Sequence, residues 1–309
     1  GRGFSFIIPV AVLVRWFPDH RGLVTGIAAG GYGGGTLVTA PVATQLIAAV
    51  GVLWTFALLG LASAIMVAGS AVWLKAPPAG YSRPSRPAER NQRVEPVART
   101  FTLGEACRTW QCSGLCLLFF VYVSAGHAFI SQAAPIAQEL VRADAFVAAG
   151  LVGGAAIANV AGGLLCPWLS DAIGRRVTLT LLFLLQSLTL TALTLTTSLE
   201  VFALEAALVL FCFGGGFSTM APLVADYFGA QQVGSLFGLV LIASGLASLA
   251  GPLLLAFLRE STGAYTAPLT AYAVLTLLGS LIPLALRPPN WTPERGLARR
   301  EPQPGHQAL

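Results

Sequence analysis

Long apolar segments separated by short polar connections make up most of the chain. They lie at about 4–14, 24–50, 53–74, 113–134, 145–166, 177–196, 201–223, 233–258 and 267–286. Every segment after the first has the ~20 residues that a helix needs to cross a bilayer, and the short first one is interpreted as the end of a helix that begins upstream. The pattern predicts an all-α membrane protein, because a bilayer offers backbone groups no partner outside a helix.

The composition supports this prediction. Hydrophobic residues make up 55% of the chain and charged residues 10%, against about 25% in a soluble domain. This balance excludes a cytoplasmic enzyme, a disordered regulator and a nucleic-acid-binding domain. No pair of serine, aspartate or histidine recurs at catalytic spacing within the apolar segments, and the five cysteines have the character of buried apolar side chains. We therefore expect a protein of the lipid bilayer that is not an enzyme and binds no cofactor.

Basic residues indicate how the chain is oriented. Most of the 18 lysines and arginines lie in every second connection and in the tail, whereas the opposite connections hold only Arg142 and Arg259. Cytoplasmic loops carry such an excess of basic residues. We expect a multi-pass protein of the cell membrane with its C-terminus in the cytoplasm.

One connection differs from the others. Residues 76–110 are rich in proline and arginine, which predicts a flexible cytoplasmic linker. This linker would divide a partial N-terminal bundle at 1–75 from a six-helix bundle at 111–288. A cytoplasmic tail is predicted at 289–309.

Two turns of the chain echo each other. Residues 16–22 precede a glycine-rich segment that contains Gly26, and residues 227–229 precede a second one that contains Gly238. Equivalent positions keep their spacing to within one residue. This echo indicates two parallel repeats of six spans, a known architecture of transporters.

Several motifs together carry a resemblance to a known family. They lie at 15–23, 76–81, 124–135, 168–176, 225–229 and 259–263. In order and spacing they resemble the major facilitator superfamily and, within it, the oxalate/formate antiporter family. The resemblance implies a major-facilitator-type helical bundle of twelve transmembrane helices, of which this chain holds nine, spans four to twelve.

Glycines recur along one face of the second apolar segment. Gly22, Gly26, Gly30 and Gly34 are four residues apart, so they share one side of a helix. Small residues let helices in lipid approach closely. The same face would serve either tight static packing or the rocking of one helix against another.

Charged and glycine residues in two connections are candidates for a gate. They are Asp19, Arg21, Asp171, Gly174, Arg175 and Arg176. The resemblance implies a charge-relay latch around Asp171 that holds one face of a transporter closed. Topogenic charge alone would account for the two arginines, but the aspartate four and five residues before them favours the latch.

Polar side chains within the apolar segments are candidates for substrate binding, because they are costly in a membrane. They are Arg2, Tyr32, His127, Gln132, Asn159 and Ser244. Structural roles are the alternative: a serine can bond its own backbone, and Asn159 or Gln132 can bond a neighbouring helix. His127 could be a satisfied structural histidine or a proton carrier.

Arg2 is the candidate that most directly suggests a substrate. Its distance from Trp16 along a helix at ~1.5 Å per residue is about 20 Å, which places it well inside the membrane. A guanidinium there suits a carboxylate, although an arginine at the end of a chain could also snorkel to the surface.

The resemblance also bears on which anion would bind. Oxalate transport in the family implies two basic residues, and the aligned positions hold Gly163 and Ser244. A dianion would lose its hydration there without compensation. We therefore expect a monocarboxylate such as formate rather than oxalate.

These observations predict a secondary active transporter that exchanges small organic anions by rocking two bundles around a central site. A proton-coupled monocarboxylate symporter, with His127 as the titrating group, is the alternative within transport. A non-transporting membrane sensor or an inactive fragment is the alternative of another class.

Overall fold

A computed structural model describes residues 2–17, 21–72, 103–229 and 233–287, and the regular structure of these residues is entirely α-helical. The helices are α1 (Arg2–Trp16), α2 (Arg21–Ala71), α3 (Leu103–Cys107), α4 (Trp110–Leu140), α5 (Ala145–Ile173), α6 (Arg175–Leu193), α7 (Leu199–Phe228), α8 (Val233–Thr262), α9 (Thr266–Gly279) and α10 (Leu281–Ala285). The all-α prediction is confirmed. Most of the predicted linker and all of the predicted tail lie outside the described residues.

Each apolar segment of the sequence lies in a helix. α1 covers the first segment, α2 the second and third, and α9 with α10 the last. Seven helical segments of the described chain are long and apolar enough to cross a membrane. Within α2 the backbone bends at Gly51, whose φ of 79° lies in the left-handed region that glycine enters without steric cost.

Side-chain caps fix where several helices begin. The Asp144 carboxylate accepts hydrogen bonds from the backbone N–H groups of Phe146 and Val147 at the start of α5, at 2.8 and 3.0 Å. Thr109 and Ser198 cap α4 and α7 in the same way. These caps satisfy donors that a helix N-terminus leaves without an intrahelical partner.

Successive long helices run in opposite directions, which gives the bundle two distinct ends. α5 ends and α6 begins at one of them, together with the end of α7, and we call it the Asp171 end. α4 ends and α5 begins at the other, where α8 also meets α9, and we call it the Glu139 end.

Small residues allow close helix crossings in the core of the bundle. α5 packs against α7, and α4 against α8. A Cβ atom at Gly162 would overlap the carbonyl oxygen of Phe211, and one at Gly251 would overlap that of Ser124. These crossings are therefore contacts between backbones, the kind that dispersion forces stabilise in lipid.

The outer surface of the bundle is apolar. Leu53, Phe56, Phe146 and Leu195 each expose more than two thirds of their area. Such a surface is unfavourable in water and suits the acyl chains of a bilayer. Together with the long apolar helices, it makes this chain a multi-pass membrane protein.

Candidate functional site at the contact of α2 and α5

The start of α2 lies directly on the end of α5, and glycines make this contact possible. A Cβ atom at Gly22 would overlap the Pro167 carbonyl oxygen and would lie 2.6 Å from an Asp171 carboxylate oxygen. At Gly26 it would lie 3.0 Å from the Leu164 carbonyl oxygen. The prediction of close packing along this glycine face is confirmed for its first two positions.

The next glycines show how narrow this contact is. A Cβ atom at Gly30 would meet the flexible side chain of Leu164 at 2.5 Å, whereas one at Gly31 would meet nothing within 4 Å. The surroundings of Gly34 lie outside the part of the structure that is described. The contact is therefore a single ridge of α2 seated on α5.

Asp171 places its carboxylate across this contact. Oδ1 accepts a hydrogen bond from the Gly22 N–H and Oδ2 one from the Leu23 N–H, each at 3.1 Å. Both donors belong to the first turn of α2, where the helix dipole favours negative charge. One side chain of α5 thus caps a helix that lies 148 residues earlier in the chain.

Arg175 holds this carboxylate and extends the network to α7. Its guanidinium forms ion pairs with Asp171 and with Asp226, the latter at 3.1 Å between Nε and Oδ2. It also donates to the Pro167 carbonyl oxygen at 3.2 Å and to the Ser170 hydroxyl. The Arg175 side chain is only 11% exposed, so its charge is held in a partly desolvated setting where ion pairs are stronger than at the surface.

Asp226 is a member of this network that was not predicted from the sequence. It lies in the motif at 225–229, which was the one feature of the sequence that could have pointed to it. Arg175 begins α6 and Asp226 is near the end of α7, 51 residues later, so no local sequence pattern pairs them. Only the packing of α6 against α7 brings them together.

The other predicted gating residues are placed differently. Arg176 points away from Asp171 and donates to the carbonyl oxygens of Pro283, at 2.8 Å, and Leu284, at the end of α10. Gly174 forms the turn between α5 and α6 with a φ of 95°. Asp19 and the side chain of Arg21 lie outside the described residues. Gating stays a prediction for all six residues.

His127, a candidate substrate residue on α4, packs its imidazole ring against α7. Its ring lies edge-on to that of Phe213 on α7, with 5.1 Å between the ring centroids. The Nδ1 atom is buried and makes no hydrogen bond within 3.5 Å among the residues that the structure describes, although the Val123 backbone lies near enough to interact with the ring. Such an unpartnered group is costly in a core unless another molecule bonds it.

The remaining described candidates each have their own contacts. Gln132 accepts a hydrogen bond from the Tyr265 hydroxyl at 2.9 Å, Asn159 lies against Gly214 of α7, and Ser244 is buried in α8. Within the described part of the chain, no hydrogen bond joins any two of these residues and His127. The side chains of Arg2 and Tyr32 lie outside the described residues.

Gly163, one of the two positions relevant to oxalate, faces α7. A Cβ atom there would lie 3.2 Å from the Ser218 hydroxyl oxygen and 3.7 Å from the Gly214 carbonyl oxygen. The second position, Ser244, is 7% exposed.

A second charged cluster, which sequence reasoning missed, lies at the Glu139 end. Arg259 donates to the Glu139 carboxylate, with 2.9 Å between Nε and Oε2, and the Tyr265 N–H donates to Oε1, also at 2.9 Å. The guanidinium lies 5.1 Å from the centroid of the Tyr265 ring. Burial raises the pKa of the Tyr265 hydroxyl, so this group stays a hydrogen-bond donor at neutral pH. The cluster joins α4, α8 and the turn into α9.

Comparison with known proteins gives consistent matches. A family model described as the Major Facilitator Superfamily matches residues 1–222 and, in a second overlapping match, residues 118–308. The chain is 29% identical to an uncharacterized MFS-type transporter of Escherichia coli, YhjX, over 80% of this chain and 60% of that protein. It is 27% identical to the oxalate:formate antiporter of Oxalobacter formigenes, over 93% of this chain and 68% of that protein.

Solved structures show the same fold. The E. coli fucose:proton symporter FucP superposes with a TM-score of 0.69 at 14% sequence identity, covering 90% of this chain and 71% of the symporter. The chain spans about 60% to 70% of the length of these relatives.

Proposed function

Because this chain belongs to the Major Facilitator Superfamily, we propose that it works as a secondary active transporter that exchanges small organic anions by alternating access. The superfamily match and the transporter relatives support transport of a small molecule rather than catalysis. The substrate class and the exchange mechanism are the proposed part.

The observation that carries the proposal is the Asp171 contact with the first turn of α2. It joins the part of the chain before the predicted linker to the part after it, and it does so at one end of the bundle. Rocking of two bundles would have to break this contact and form it again. We propose that Asp171, Arg175 and Asp226 close the Asp171 end, and that this end faces the cytoplasm, as the distribution of arginines favours.

A monocarboxylate is the proposed substrate class. The relative from Oxalobacter is named an oxalate:formate antiporter, which favours small carboxylates. Gly163 and Ser244 carry no charge, and Gly163 faces α7. A dianion would therefore lack the cations that would offset its desolvation. Arg2 is the proposed partner of a single carboxylate.

Proton-coupled symport of a monocarboxylate is the second candidate, and one observation favours it. The buried Nδ1 atom of His127 makes no hydrogen bond among the described residues, so a proton or a substrate oxygen could occupy that position. An imidazole is suited to proton exchange near neutral pH. Unchanged pH dependence of uptake in a His127→Gln variant would count against this candidate.

Counterflow in proteoliposomes tests the proposed function. The protein in its natural full length is reconstituted, loaded with one unlabelled acid, and supplied with labelled formate, lactate or oxalate. We expect exchange of a monocarboxylate, at least tenfold slower in Arg2→Ala and unchanged in Arg142→Ala, which removes an exposed arginine. Robust oxalate exchange would contradict the substrate class. No exchange of any acid would favour a chain that does not transport carboxylates, such as a sensor.

A further inference from the structure

Glu205 is a buried acid to which the proposed transport gives no role. It lies in the second turn of α7, near the Glu139 end, and is 8% exposed. Its neighbours Phe202 and Ala206 are also buried. An ionised carboxylate in such a place is costly unless cations or several donors compensate it. The partners of Glu205 therefore decide which protonation state fits.

Among the described residues, one polar group contacts the Glu205 carboxyl group. The Thr196 hydroxyl oxygen lies 2.6 Å from Oε2, and the same hydroxyl oxygen lies 3.1 Å from the Ala192 carbonyl oxygen. A threonine hydroxyl has one hydrogen. The Ala192 carbonyl oxygen already accepts from the Leu195 N–H at 2.9 Å, so the hydroxyl could donate to an ionised carboxylate, but that one donor would have to compensate a buried charge. With a protonated carboxyl, Glu205 donates to Thr196 and Thr196 donates to Ala192, and no charge needs compensation.

The charged groups at this end of the bundle do not offset a negative charge on Glu205. Among the described residues they are Glu139, Arg142, Asp144, Glu200, Arg259 and Glu260. Glu139 is paired with Arg259, and Asp144 caps α5. Arg142, Glu200 and Glu260 are exposed. Across the described chain, no ion pair reaches Glu205 and Thr196 is its one hydrogen-bond partner.

We infer that Glu205 is a proton-binding site, in which the carboxyl group is protonated and donates to the Thr196 hydroxyl. When the O–H bond breaks, the proton passes to water and the carboxylate remains. Only a structure in which water reaches the carboxylate can hold that charge. Proton binding therefore stabilises the packing in which Thr196 and Glu205 are buried. The inference rests on the contacts of Glu205 and does not depend on the proposed transport.

Infrared spectroscopy of the full-length protein in lipid nanodiscs tests the inference directly. A protonated carboxyl group has a C=O stretching band distinct from that of a carboxylate. We expect one such band at neutral pH in the unchanged protein, its loss in Glu205→Gln, and no change in Glu200→Gln. The Glu200 variant is the matched control, because this glutamate is on the same helix but exposed.

A second variant keeps the test decisive if Glu205→Gln folds poorly. Thr196→Val leaves the acid in place and removes its hydrogen-bond partner, so the band should persist but shift to a higher frequency. A protonated-carboxyl band that survives in Glu205→Gln, or that ignores Thr196→Val, would overturn the assignment. So would the absence of the band at neutral pH in the unchanged protein. None of these outcomes bears on counterflow, so the two proposals fail separately.

Discussion

The two ends of the bundle hold arginine–carboxylate clusters of similar chemistry but different reach. At the Asp171 end, Arg175 binds Asp171 and Asp226, and Asp171 in turn binds the first turn of α2. At the Glu139 end, Arg259 binds Glu139, which also accepts from Tyr265. The first cluster crosses from one side of the predicted linker to the other, and the second stays within the residues that follow the linker.

This difference shows that position, rather than chemistry, decides what a charged cluster can do. A cluster inside one rigid body stabilises that body in every conformation. A cluster between two bodies stabilises only the conformation in which they meet, and so it shifts a population. We therefore expect substitutions at the Asp171 end to change conformation and substitutions at the Glu139 end to change stability.

The largest effect is expected for Gly22→Ala, which would break the Asp171 end by steric overlap. The added methyl group would overlap the Pro167 carbonyl oxygen and crowd the Asp171 carboxylate. Overpacking of this kind costs about 1–3 kcal/mol, which corresponds to a roughly 5- to 150-fold loss of the closed conformation. Distances between spin labels at the exposed residues Ile27 and Val177, with the native cysteines replaced, would measure it.

Gly31→Ala is the matched control for Gly22→Ala. It places the same methyl group on the same helix where nothing lies within 4 Å. We expect an unchanged distance distribution and a slight gain in helix stability. Equal effects of the two substitutions would contradict a close contact between α2 and α5 that is specific to Gly22.

A smaller effect is expected for Asp171→Asn, which removes the charge and keeps the shape. The loss of one carboxylate at a helix N-terminus and of its ion pair should cost about 1–2 kcal/mol, or roughly 5- to 30-fold in the closed population. Asp144→Asn is the control, because Asp144 caps α5 within one bundle and asparagine caps equally well. The same spin-label distances should change in the first variant and not in the second.

Glu139→Gln should lower stability without changing conformation. The Glu139 and Arg259 side chains are 30% and 34% exposed, so solvent screens their ion pair and its loss should cost up to about 1 kcal/mol. Thermal unfolding in detergent would show a decrease of a few degrees, about what 1 kcal/mol gives in a protein of this size. A change in the Ile27–Val177 distance in this variant would break the comparison, because both ends would then act as gates.

The smallest effect is expected for Tyr265→Phe. The substitution removes the hydrogen bond to Gln132 and keeps the ring under Arg259. The loss should be about 0.5 kcal/mol at neutral pH, the low end for a hydrogen bond, because this pair is only partly buried. Burial raises the pKa of the Tyr265 hydroxyl above its usual value of 10. The contribution is therefore complete below the unfolded pKa and is lost as the pH rises through the folded one, so unfolding midpoints of both proteins should differ equally at pH 6 and pH 9.

Local sequence patterns were enough to predict the helices and one face of the contact between them. Apolar segments of sufficient length indicate membrane helices whatever their neighbours are. The spacing of Gly22 and Gly26 indicates a smooth ridge. Asp171 and Arg175 are one turn apart on the chain, so their pairing is a local property as well.

Pairings between distant residues could not be predicted in this way. Arg175 and Arg176 are neighbours in sequence, yet one binds Asp226 and the other the end of α10. The two side chains point to different helices because they follow the turn at Gly174, with α7 on one side of α6 and α10 on the other. The proximity of Glu139 to Arg259, 120 residues apart, likewise depends on how α4 packs against α8.

The backbone donors of the Asp171 contact limit which substitutions can remove it. Its donors on α2 are main-chain N–H groups. Among amino-acid substitutions, only one to proline removes a main-chain N–H. A variant can lose the acceptor at residue 171 or obstruct the approach at residue 22, but it cannot remove the donors by altering their side chains. The Leu23 side chain takes no part in the bond, so a substitution of Leu23 by any residue other than proline keeps the N–H that donates to Asp171.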